Sequence, residues 1–184
     1  MHRVKDRPVS HRISCTIYSL SLFILYLSST LFHSFFALQT TRHIFATLDH
    51  CAIYILIAGS CTPFLMIPYT DEAWASYLLI FMWVCCFSGV GVSAMFPNWP
   101  LKRNFCLSMY LGMGWGALAC IPYMQKTMPM EAINSIFLGG VGYTSGIPFF
   151  VRNKNMDHAI WHVFVLAGSI FHWIGIYSYI VVKF

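Results

Sequence analysis

Long uncharged stretches constrain this sequence more than any other feature. Mostly apolar blocks cover residues 14–36, 49–69, 74–95, 105–124, 133–151 and 158–182, with short polar breaks between them such as QTTRH at 39–43. An α-helix needs about 20 residues to cross a hydrocarbon core about 30 Å thick. Because the apolar residues fill each block without a period of two or 3.6, we predict an all-α, polytopic transmembrane helical bundle with six spans.

Composition agrees with a lipid environment. Hydrophobic residues make up 58% of the 184 residues and charged residues 9%, whereas ordinary soluble domains carry about 25% charged residues. We therefore expect an integral, multi-pass membrane protein whose surroundings are membrane lipids. Residues 1–13 form a basic N-terminal tail, and residues 14–184 form the transmembrane domain.

Two classes of function are disfavoured. The seven cysteines include no CxxC pair, so they are expected to be small buried or lipid-facing residues. No solvent face mixes basic with aromatic residues, which argues against a nucleic-acid partner. Protein partners and the identity of the membrane are left open.

The distribution of basic residues allows two orientations. With six spans, one side of the membrane holds Arg42, Lys102, Arg103, Arg152 and Lys154. The other side holds Lys126 and Lys183, together with the tail residues Arg3, Lys5, Arg7 and Arg12. Without the tail, the first group would face the cytoplasm. With the tail included, the two counts are nearly equal and the orientation stays open.

Ionisable residues inside spans are costly and are functional candidates by default. His33 lies near the end of the first span, Asp49 at the start of the second, and His158 and His162 at the start of the sixth. Because the chain reverses at each loop, the end of an odd span and the start of an even span lie on one side. These four residues are therefore expected in the same layer of the bilayer.

The residue types favour a metal site in that layer. His158 and His162 are four residues apart, which places both rings on one helix face about 6 Å apart. With His33 as a third ligand, the set resembles that of a catalytic zinc, which keeps a position open for water. Asp49 would hydrogen-bond that water and act as its base, and Ser29, one turn before His33, would hold the water or a substrate oxygen.

The alternative is that these are interfacial histidines with their polar tips among the lipid headgroups. That interpretation suits a lone histidine near a helix end, and it also suits an isolated His-x-x-x-His pair. Three histidines and an aspartate in one layer of nearly uncharged spans favour the metal site instead. His172, about 15 to 21 Å further along the last span, is expected to bond a neighbouring helix or to lie in a polar cavity.

Several segments resemble a known family. The runs Ser29–His33, residues 48–64 (LDHCAIYILIAGSCTPF) and residues 157–173 (DHAIWHVFVLAGSIFHW) are similar to the signature segments of the haemolysin III branch of the progestin and adipoQ receptor family. The segments occur in the same order and at fitting spacing along nearly the whole chain.

The resemblance implies a seven-helix membrane fold with zinc near its cytoplasmic side. By motif position, the implied zinc ligands are His33, His158 and His162, with Asp49 and Ser29 close to the water. The family's first span has no counterpart in the apolar blocks, since the chain starts with MHRVKDRPVSHR. We therefore expect the chain to lack that helix, with residues 1–12 corresponding to the loop after it.

Three functions follow as expectations. The similar arrangement in alkaline ceramidases suggests a zinc-dependent hydrolase of lipid amide, ceramide-like, or ester bonds. Animal family members act as receptors, which would make the zinc structural. Bacterial members are named for a haemolytic, pore-like activity, although the spans offer few polar stripes outside the clustered site.

Overall fold

The structure is a computed structural model, and it describes residues 9–35, 39–96, 99–152, 154 and 156–182. Its α-helices, named in chain order, are α1 (Val9–Ser34), α2 (Gln39–Met66), α3 (Ala73–Met95), α4 (Lys102–Gly116), α5 (Ile121–Thr127), α6 (Met130–Ser145), α7 (Ile147–Arg152) and α8 (Asp157–Ile176). A 3₁₀ turn at Ala117–Cys120 joins α4 to α5, and a π-helical turn at Tyr177–Val181 follows α8. The all-α prediction is confirmed.

Five stretches of the described chain are long and apolar enough to cross a membrane. They are Val9–Ser34, Thr41–Met66, Ala73–Met95, Lys102–Thr127 and Asp157–Val181. Together they make the chain an integral, multi-pass membrane protein.

Two predicted boundaries were wrong. Helix α2 begins at Gln39, so the polar run around Arg42 and His43 is helical and not a loop. The predicted span 133–151 is divided between α6, with 16 residues, and α7, with six. The break falls at Gly146, two residues before Pro148, which has no N–H to donate to the carbonyl of Thr144.

The chain forms two compact units, the first ending at Met113 and the second beginning at Gly114. In the first unit, α2 packs against both α1 and α3. The buried residues of α1 recur at alternating steps of three and four, which is the spacing of a helix–helix seam. They are His11, Ser14, Tyr18, Ser21, Leu25, Ser28 and Phe32, with Ser29 beside them.

Small residues allow α1 and α2 to approach closely. An added Cβ at Gly59 would lie 2.5 Å from the Ser21 hydroxyl oxygen. Further along the unit, Tyr54 packs against Tyr110 with ring centroids 4.5 Å apart. The Tyr110 hydroxyl donates to the carbonyl of His50 over 2.8 Å, which attaches α4 to α2.

In the second unit, α6 and α7 lie along α8. An added Cβ at Gly142 would lie 3.0 Å from the backbone nitrogen of Gly168, and one at Gly146 would lie 2.8 Å from the Trp161 ring. Residue numbers increase along α6 while those of the contacting residues on α8 decrease, so the two helices are antiparallel. The Nε2 atom of His172 lies 3.2 Å from the carbonyl oxygen of Ile136, which confirms the predicted bond from His172 to a neighbouring helix.

The cysteines behave as expected. Cys51, Cys86, Cys106 and Cys120 are buried, Cys15, Cys61 and Cys85 are half-buried, and none of these seven described residues forms a disulfide.

Two glycine-rich runs, 112–116 and 139–142, differ in their surroundings. Gly139 and Gly142 lie against α8, whereas an added Cβ at Gly112, Gly114 or Gly116 would have no atom of the described residues within 4 Å.

Candidate metal centre

His158 and His162 are the two candidate ligands that belong to the second unit. They occupy the first two turns of α8, and their Nε2 atoms lie 3.0 Å apart. Their ring centroids are 4.8 Å apart. Two imidazole nitrogens at this distance can share one proton, or both can bind one metal ion. The predicted convergence of the two rings on one helix face is therefore present.

Aromatic side chains hold the helix turn that carries this pair. Trp161 lies between the two histidines in the sequence and is buried. Its ring contacts that of Phe150, with centroids 4.8 Å apart, and those of both histidines. Because Phe150 belongs to α7, this packing fixes the rotation of α8 about its own axis and with it the direction of the imidazoles.

The remaining predicted residues lie in the first unit. Ser29 and His33 are one turn apart near the end of α1, where Ser29 is buried and His33 is exposed. Asp49 lies on α2 and has no solvent exposure. A carboxyl group buried in a membrane helix is costly to maintain, which marks Asp49 as a functional candidate.

The alignment of α1 against α2 brings Ser29, His33 and Asp49 to similar positions along the helix axes. The short connection between α1 and α2 makes them antiparallel, and Ser21 lies against Gly59. Ten residues back from Gly59 is Asp49, and ten residues forward from Ser21 is Leu31. At a rise of about 1.5 Å per residue, Asp49 is therefore within about 3 Å, along the helix axis, of both Ser29 and His33.

A polar group that the sequence reasoning did not single out lies beside the histidine pair. The carboxylate of Asp157 accepts hydrogen bonds from Nε of Arg152 and from the backbone N–H of Lys154, each over 2.8 Å. The bonded carboxylate raises the pKa of the Arg152 guanidinium above its ordinary value. An acidic residue at the first position of a span, five residues after an arginine, is the sequence signal for this contact.

Known proteins are similar to this chain over most of its length, in agreement with the family resemblance of its motifs. The family model described as haemolysin-III related matches residues 1–173. The chain is 38% identical over 160 residues to the hemolysin-3 homolog of Bacillus subtilis (strain 168), covering 85% of this chain and 72% of that protein. It is 35% identical over 171 residues to hemolysin-3 of Bacillus cereus, covering 92% and 76%.

An animal protein is also similar. The monocyte to macrophage differentiation factor of Homo sapiens is 28% identical over 187 aligned positions, covering 98% of this chain and 75% of the human protein. The family match and the two Bacillus relatives together assign the fold and the membrane location. The chain belongs to the haemolysin-III related proteins, the haemolysin III branch of the progestin and adipoQ receptor family.

Proposed function

We propose that the chain is a zinc-dependent hydrolase of lipid amide or ester bonds, with His33, His158 and His162 as the zinc ligands. The observation that supports this best is the histidine pair on α8, whose Nε2 atoms are 3.0 Å apart. Two nitrogens that bind one tetrahedral zinc at about 2.0–2.1 Å are about 3.3–3.4 Å apart. The pair is therefore within a few tenths of an ångström of the separation that zinc requires.

The residues of the first unit would complete the chemistry. When bound, zinc supplies Lewis acidity and lowers the pKa of water toward about 7. The Asp49 carboxylate would accept a proton from the attacking water and return it to the departing amine or alcohol. The Ser29 hydroxyl would hydrogen-bond the substrate carbonyl oxygen or the water. The water oxygen would bond to the carbonyl carbon, and the C–N or C–O bond would then break as the leaving nitrogen or oxygen takes up the proton from Asp49.

The location of Asp49 and Ser29 suits a lipid substrate. Both side chains are buried, and they lie on helices that are apolar enough to cross a membrane. A substrate reaching them from the bilayer would enter sideways, with its acyl chains in hydrocarbon. Ceramide-like lipids meet this requirement because their amide bond lies near the headgroup layer.

The test combines metal analysis with turnover of a ceramide-like lipid by the detergent-purified full chain. We expect about one zinc per chain, loss of zinc in His158→Ala, and retained zinc without turnover in Asp49→Asn. His43→Ala is the matched control, since this exposed histidine on α2 should affect neither quantity. Full zinc content in His158→Ala, or turnover that survives zinc removal, would contradict the proposal.

The same variants separate the hydrolase from a receptor with a structural zinc. In a receptor, Asp49→Asn should preserve the zinc and also every functional response, because no proton transfer is required. In the hydrolase, Asp49→Asn removes the base and abolishes product formation. Retained turnover in Asp49→Asn would show that Asp49 is not the base, whereas bound zinc without any turnover in the parent chain would favour the receptor.

Membrane lysis is a second candidate, favoured by the name hemolysin-3 of the Bacillus cereus relative. It predicts that the purified chain releases a trapped dye from lipid vesicles, and that His158→Ala does so equally well. The hydrolase predicts intact vesicles on the same timescale when the vesicles contain no ceramide-like lipid.

A further inference from the structure

The first residue of α8 has a buried carboxylate. Asp157 is only 3% exposed, although it is the first residue of its helix. Its two oxygens accept two parallel hydrogen bonds from Arg152, from Nε over 2.8 Å and from Nη2 over 2.5 Å. A bidentate pair of this kind is both stronger and more directional than a single contact.

A second set of contacts attaches the same arginine to α8. The Arg152 guanidinium lies 5.3 Å from the centroid of the Phe149 ring, and Phe149 stacks on Phe164 with centroids 5.5 Å apart. The end of α7 therefore contacts α8 at Asp157 and again at Phe164. These two positions lie on either side of the histidine pair along the helix.

Asp157 and the aromatic packing of Trp161 both contribute to holding the N-terminal end of α8. The residue before the helix, Met156, provides no side-chain cap, and the first N–H groups of any helix lack intrahelical acceptors. The negative charge of Asp157 in this turn is favourable for the helix dipole. His158 follows directly in the same turn, whereas His162 lies one turn further in, beside the buried Trp161.

We propose that the Arg152–Asp157 ion pair is a positioning device for His158. It keeps the first turn of α8 helical, and it thereby keeps the Nε2 atom of His158 close to that of His162. The consequence for metal binding rests on the proposed zinc function, but the effect on the helix turn does not. The pair acts through His158 and touches neither metal nor substrate.

Two variants test this proposal in the full-length purified chain. Asp157→Asn removes the charge with little change in shape, and Arg152→Lys keeps the positive charge but removes the parallel hydrogen bonds. Groups that orient metal ligands typically change metal affinity 10- to 100-fold. We expect about that loss of Zn²⁺ affinity in Asp157→Asn, a smaller loss in Arg152→Lys, and an altered visible spectrum of the Co²⁺-loaded variants. Lys126→Gln, an exposed lysine of the same unit, should match the parent chain.

Hydrogen exchange of the metal-free protein provides the independent readout. The amide of Ile160 bonds to the carbonyl of Met156 over 3.0 Å, so its exchange rate reports the first turn. Faster exchange there in both variants supports the proposal, even if the parent chain binds no metal and the zinc proposal fails. Unchanged exchange in Asp157→Asn, or unchanged Zn²⁺ affinity in a metal-binding chain, would overturn it.

Discussion

Gly142 and Gly168 show how single residues determine helix spacing in the second unit. A Cβ at Gly142 would lie 3.0 Å from the nitrogen and 3.1 Å from the Cα of Gly168. Both of those atoms belong to backbone, which cannot rotate away as a side chain can. Without a hydrophobic driving force between helices in lipid, such close packing is a main source of their association.

Gly142→Val should therefore destabilise the second unit by about 1–3 kcal/mol, which is typical of overpacking. The measurement is the unfolding free energy in detergent. Gly114→Val is the matched control, because no atom of the part of the chain that the structure describes lies within 4 Å of a Cβ there. Equal stability of the two variants would show that α6 and α8 can separate without cost.

Glycine runs in the sequence do not reveal by themselves which helices pack closely together. Gly112, Gly114 and Gly116 repeat as densely in the sequence as Gly139, Gly140 and Gly142, yet only Gly139 and Gly142 have backbone or ring atoms of α8 close to them. Both runs permit close approach. Which run is used depends on where a partner helix passes, and the local sequence carries no information about that.

The element that best explains the first unit is the seam of α1. Its small side chains at Ser14, Ser21 and Ser28 are seven residues apart, and each hydroxyl bonds to a backbone carbonyl of its own helix. Satisfied in this way, the serines can face α2 in an apolar environment without unpaired hydroxyl groups. The helix therefore buries polar residues while its outer face remains hydrophobic.

Ser21→Leu should push α1 away from Gly59 and lower the thermal stability, with a cost of about 1–3 kcal/mol. The exposed Ser19 offers the same substitution on the opposite face, and Ser19→Leu should leave the melting temperature nearly unchanged. Thermal unfolding followed by circular dichroism measures both. Equal melting temperatures would mean that the seam is not tightly packed.

Hydropathy predicted which parts of the chain contain helices, but it did not predict the residues at which the helices begin. The run from Gln39 to His43 is polar and was expected to be a loop, yet it is helical. Hydropathy detects the part of a helix that lies in hydrocarbon, and it cannot detect polar turns that extend beyond it. The break after Ser145 was missed for the opposite reason, because an apolar run continues through Gly146 and Pro148.

For the whole molecule, metal binding should couple distant parts of the chain. The proposed ligands come from near its start and near its end, so bound zinc would link segments that are far apart in sequence. A ligand at 100 times its Kd stabilises the folded state by about 2.7 kcal/mol. Chelation of zinc should thus lower the melting temperature of the parent chain.

His158→Ala is the control for this measurement, since it should melt at one temperature with or without chelator. If the parent chain shows no chelator-dependent shift, the proposed metal contributes nothing to folded stability. A shift that persists in His158→Ala would place the metal elsewhere in the protein.

The sequence alone determined the membrane environment, the all-α class, the family and the candidate ligands. Each of these depends on residue type and on spacing along the chain, such as the four-residue interval between His158 and His162. Only the tertiary structure decided that Asp49 is fully buried, that Arg152 pairs with Asp157, and that Gly142 rather than Gly114 approaches a neighbouring helix. The reason is physical: these features depend on how helices rotate and align against one another, and that alignment is the sum of many weak contacts between residues distant in sequence.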